Sequence, residues 1–135
     1  MSSTLRLPYK ILQAVQTHAR DAAPDECVGL LFGYEMQVTR AVELTNRAPT
    51  PQTRFFADPQ ELIVALSGAD ARGETLLAIY HSHPEGAAFP SATDVAAAQY
   101  DAALLIVTPT ATRAFRLEGA RASAVTLVVT PCPEH

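Results

Sequence analysis

The chain has 135 residues, 48% of them apolar and 18% charged, which suits one compact domain and excludes a disordered chain. About two-thirds of the unfolded surface can be buried at this length, so a metal here would serve chemistry and not mere folding. Ten basic against fourteen acidic residues give a net charge of −4 with no basic run, so nucleic acid is not an expected partner. Pro8 opens a predicted first helix through about Ala22, since Ile11, Leu12, Val15, Ala19 and Ala22 recur at helical spacing. Pro24 and Asp25 end it. Cys27 to Gly33 reads as a buried strand, with glycines where backbone can approach closely, and Met36 to Leu44 alternates like a hairpin partner. Asn46 to Thr53 is a loop with two prolines.

Asp58 is placed to cap a second helix, with Pro59 at its first position and Glu61 at its third. Leu62, Ile63, Leu66 and Ala69 give that helix an apolar face, and Arg72-Gly73 stops it. Thr75 to Tyr80 is a short apolar strand ending at His81, and Ser82 to Pro90 is a loop. Ser91 to about Tyr100 is a short, alanine-rich third helix. Ala103 to Thr108, Thr112 to Leu117 and Val125 to Thr130 read as strands. There are no repeats and no linker. The expected architecture is a single α/β domain over residues 1–135, a mixed β-sheet flanked by helices.

Cys27 and Cys132 cannot build a disulfide framework and lack zinc-finger spacing, so a reducing compartment fits best. The start of the chain has no apolar core after a basic segment, and no apolar run approaches the roughly 18 residues of a membrane span. A soluble, cytoplasmic protein with no membrane partner is expected. Lys10 is the sole lysine among 24 alanines, a bias typical of high-GC bacterial genomes.

The chemistry concentrates in His81-Ser82-His83-Pro84 and Ser91-Ala92-Thr93-Asp94. Histidines two apart at a strand end share a face, so both imidazoles can meet one ion at about 2.0–2.1 Å. Asp94, from the first turn of the third helix, can add a carboxylate and leave a tetrahedral ion one position for water. Each piece has a plainer reading. A lone His-x-His is weak, Ser91-x-x-Asp94 is also a capping box, and Glu26 could be a solvated carboxylate before a strand. Cys27 reads as a small buried hydrophobe. Glu85 is expected on the surface, and His18 and His135 have no evident partners.

Together the pieces are more specific. Glu26, then His81-Ser82-His83-Pro84, seven residues, and Ser91-x-x-Asp94 resembles the signature of the JAMM (MPN-plus, or JAB) zinc metallopeptidases, in the form of a compact prokaryotic member. The likeness covers about residues 8 to 118. Pro24-Asp25-Glu26-Cys27-Val28-Gly29-Leu30-Leu31-Phe32-Gly33 looks like the family's first strand, Arg54-Phe55-Phe56-Ala57-Asp58-Pro59 like the approach to its second helix, and Ala114-Phe115 like its late strand. One departure is that the cysteine follows Glu26 directly, one place early. The resemblance implies the JAB/MPN, cytidine-deaminase-like architecture. It implies one Zn2+ per chain on His81, His83 and Asp94, with Glu26 as general base then acid and Ser91 as a donor to the water or oxyanion. It also puts Glu26 beside the metal, which no local pattern does; Ser82 is expected only to pack or cap.

Three rivals are weighed. An inactive MPN scaffold would have lost ligands, and this chain keeps all of them. A zinc deaminase would carry His-x-Glu and a later Pro-Cys-x-x-Cys, whereas Pro131-Cys132-Pro133-Glu134 lacks the second cysteine. A metallo-β-lactamase-like site would need further ligands close behind its His-x-His. The peptidase reading stands against them, and the resemblance to compact members of the family implies hydrolysis of a peptide or isopeptide bond after the C-terminal Gly-Gly of a ubiquitin-like or sulfur-carrier β-grasp protein. Action on a peptide substrate of another kind is the alternative, and homodimerisation stays open.

Overall fold

The computed structural model describes residues 4–88, 90, 101–118 and 121–131. Along them run β1 (Thr4–Pro8), α1 (Tyr9–Ala22), β2 (Val28–Tyr34), β3 (Gln37–Leu44), α2 (Pro59–Ala71), β4 (Thr75–Ser82), β5 (Ala103–Val107), β6 (Thr112–Glu118) and β7 (Arg121–Thr130). The third helix expected over 91–100 lies outside the described residues.

The strands form one mixed sheet in the order β1-β3-β2-β4-β5-β6-β7, and its two ends meet as a barrel. A mixed sheet with helices on it is the expected class; the closure and β1 are not in the sequence reading. β1 buries Leu5 and Leu7 completely, but five residues running into a helix are too few for their alternation to stand out. It lies parallel to β7 from Thr4↔Thr126 to Pro8↔Thr130 and meets β3 at Arg6↔Gln37. Pro8 therefore ends a strand and precedes the helix, with φ −59° and ψ 142°. β7 begins at Arg121, four residues before the expected Val125, because its pairing with β6 extends back to Glu118↔Arg121.

Both sheet faces are buried, which is why β2, β4 and β5 read as nearly unbroken apolar runs. Leu31, Leu105, Leu5 and Leu7 pack with Val15 of α1 on one side. Leu30, Leu104, Ile79 and Ile106 pack with Ala69 of α2 on the other. Of the apolar face expected for α2, Leu62, Leu66 and Ala69 join this cluster. Ile63 does not: it is 65% exposed, since one residue's step turns it about a quarter-circle from Leu62. The α2 cap is as expected in part. Asp58 Oδ1 accepts from Gln60 N and Glu61 N at 3.0 Å each. The Glu61 carboxylate instead accepts from Thr45 N at 2.6 Å and Thr45 Oγ1 at 2.9 Å, tying α2 to the end of β3.

Gly29 is required where β2 crosses β4. It pairs with Tyr80, and a Cβ on it would fall 2.2 Å from two atoms of the Tyr80 ring. His18, without an evident partner in the sequence, has one here: its Nδ1 is 2.7 Å from the Tyr80 hydroxyl. Burial pushes the phenol up and the imidazole down, so both are neutral. Gly29→Ala is expected to lower stability by about 1–3 kcal/mol by overpacking, read as a lower urea midpoint. An unchanged midpoint would mean that the ring swings aside freely.

Candidate active site

β2 and β4 run antiparallel with Gly29 opposite Tyr80 and Val28 opposite His81. Continued by one residue, the same register sets Cys27 against Ser82, and Glu26 and His83 come next along the two segments. The contacts agree: Ser82 N donates to Cys27 O at 3.2 Å, and Ser82 Oγ accepts from Cys27 N at 2.8 Å. Ser82, expected to pack or cap, is thus the clasp between the two segments that carry the site.

His81 and His83 share a face, as strand alternation requires, and their Nε2 atoms are 2.9 Å apart. Glu26, His81 and His83 are all buried, and each offers a ligand atom within 4.8 Å of the others. His83 is held at both ends. Its N–H donates to Val107 O at 2.9 Å, and its Nδ1 is 2.9 Å from Ala87 O. A carbonyl only accepts, so Nδ1 carries the hydrogen and Nε2 keeps its lone pair in the neutral ring. Two Nε2 atoms this close repel unless a proton or a cation lies between them. Two imidazoles and a carboxylate are the donor set of a divalent transition metal, and the described part of the site fits one.

Asp94 and Ser91, the expected third ligand and hydroxyl donor, lie outside the described residues. Cys27 is the buried apolar group expected of it: it is 2% exposed, and burial pushes its thiol up to about 11, so it is protonated at neutral pH. Glu85 is exposed, as expected. Two residues at the site escaped the sequence reading. Phe55 stacks on the His81 ring at 4.5 Å between centroids and 25° between planes; the sequence placed it only in the segment resembling the family's approach to the second helix, and no periodicity there gives it a role. Asn46 bonds the backbone of Glu26. Its one local signal was an Asx turn, in which Oδ1 accepts from Ala48 N at 3.0 Å.

Residues 8–118 match the family model described as prokaryotic homologs of the JAB domain. The chain belongs to this family. It is 40% identical over 124 residues to a probable TtuB-protein conjugate cleaving protease of Thermus thermophilus, covering 91% of this chain and 83% of that one. It is 35% identical over 99 residues to a desampylase of Haloferax volcanii, covering 69% and 71%. A solution structure of a Desulfitobacterium hafniense protein superposes with a TM-score of 0.83 at 28% identity, over 97% of this chain and 96% of that one. The JAMM resemblance read from the motif and the JAB/MPN architecture it implied are borne out, and the chain is a JAMM-type peptidase. Among the described residues, no helix is long and apolar enough to cross a membrane.

Proposed function

We propose that the chain is a zinc-dependent peptidase or isopeptidase that hydrolyses the bond after a C-terminal Gly-Gly in a ubiquitin-like or sulfur-carrier β-grasp protein. Residues 1–135 act in this reading as one cytoplasmic metallopeptidase domain. The observation that carries it is the convergence of Glu26, His81 and His83, three buried side chains with ligand atoms within 4.8 Å of one another. His81, His83 and Asp94 would hold one zinc ion, which would supply Lewis-acid chemistry: polarising a carbonyl and lowering the pKa of water to about 7. Glu26 accepts a proton from the attacking water at its carboxylate and returns it to the leaving amine. The Ser91 hydroxyl donates to the oxyanion. His83 keeps its Nε2 lone pair available through the Nδ1 bond to Ala87 O.

Two things support the substrate class. The Thermus relative is named for cleaving protein conjugates, which makes a bond between a protein tail and an amine a natural substrate. An extended glycine tail also passes close to buried ligands without side-chain clashes. Recognition by a folded partner and its tail makes free short peptides poor substrates. The test is intact mass: carriers extended beyond Gly-Gly should lose the extension, with the loss blocked by chelation and restored by zinc. If extended carriers survive while an unrelated short peptide is cut efficiently, the substrate reading fails.

A further inference from the structure

We propose that Asn46 is a positioning residue that locks the segment bearing Glu26 and the ring against His81 into one unit, through both ends of its side-chain amide. The inference rests on the peptidase reading above for the roles of Glu26 and His81, and the contacts themselves are independent of it. Asn46 follows the end of β3 and faces the loop that runs on to α2. Its Nδ2 donates to Glu26 O at 2.9 Å, to Arg54 O at 2.9 Å and, more loosely, to Pro51 O at 3.4 Å. Its Oδ1 accepts from Ala48 N at 3.0 Å and from Phe56 N at 2.9 Å.

Arg54 O and Phe56 N are the backbone groups on either side of Phe55. One amide therefore grips the residues flanking the ring that stacks on His81 at 4.5 Å. The same amide grips Glu26 by its carbonyl, while Glu26 N donates to Pro51 O of the same loop at 2.7 Å. The catalytic base is thus held at both backbone ends by a loop that Asn46 folds. Few side chains could replace it. Aspartate accepts but does not donate, serine is too short to span the loop, and apolar residues do neither. The requirement is strict because a general base acts only within hydrogen-bond reach of its proton, and a displacement of about 1 Å can cost about 10²-fold in rate.

The test uses the full chain saturated with zinc. Asn46→Ala should lower kcat by about 10–100-fold with KM within about twofold, and the amides of Glu26 and Phe56 should exchange about tenfold faster or more, while β5 amides are unchanged. Asn46→Asp keeps the acceptor for Ala48 N and Phe56 N but loses the donor. It should keep Phe56 protected, loosen Glu26 and still lose kcat, and it serves in place of the alanine variant should that one not fold. A wild-type kcat in either variant, or unchanged exchange at Glu26, overturns the proposal. If the wild type cleaves no carrier, the function proposed above fails on its own. Exchange at Glu26 and Phe56 then decides alone: faster exchange in Asn46→Ala sustains the clamp, and unchanged exchange sinks it.

Discussion

Glu26→Gln is expected to lower kcat by about 10²–10⁴, the usual worth of a general base, with zinc content and fold left as in the wild type. Glutamine matches the shape of glutamate but cannot take up a proton at neutral pH. The position is well held: Glu26 is 7% exposed, its N–H donates to Pro51 O, and its carbonyl accepts from Asn46 Nδ2. The variant side chain should therefore sit where the carboxylate sat, so that a rate loss reports lost chemistry. Steady-state kinetics on a cleavable carrier and elemental analysis on the same preparation make the measurement. Wild-type turnover would remove Glu26 from the role of base. Zinc lost together with activity would make it a ligand, which its place within 4.8 Å of both imidazoles also allows.

His81→Ala is expected to abolish both metal retention and activity. The His81 ring is fully buried, stacked against Phe55 on one side, with its Nε2 2.9 Å from that of His83. Removing it deletes one of the proposed zinc ligands. The loss of affinity should exceed the 10–100-fold that follows loss of a merely supporting contact. Zinc should fall from about one per chain to near none after dialysis. His83→Ala should behave alike. Because alanine leaves a void beside Phe55, His81→Gln is the companion variant, and circular dichroism of each shows whether the barrel persists. Equal zinc in wild type and all variants would sink the ligand assignment, whatever happens to activity.

Short-range features were legible in the amino-acid sequence because their causes are local. The face of α1 follows from spacing and packs as spaced, and Asp58 caps α2 because a short acceptor beside a proline meets N–H groups two and three residues on. The His81-x-His83 pair shares a face because strand side chains alternate. The motif resembled the JAMM signature, and the family match over residues 8–118 agrees. Other features escaped for equally physical reasons. The hairpin between β2 and β3 turns at Glu35 and Met36 with φ of 50° and 66°, where glycine or asparagine would have announced it, so only the flanking alternation revealed the pair. β1 pairs with a strand more than a hundred residues away, a contact paid for by the whole fold and absent from any local window. Glu26 illustrates the division most clearly. The sequence alone could place it near His83 only by resemblance, since the two are 57 positions apart. The β2–β4 pairing, which reaches Val28 opposite His81, brings their segments together, with Ser82 and Cys27 fastening the crossing and the ligand atoms within 4.8 Å. Asn46 and Phe55 are decided entirely by tertiary structure, because one amide's reach across a loop and one ring's overlap with another depend on where the chain returns, not on what precedes or follows it.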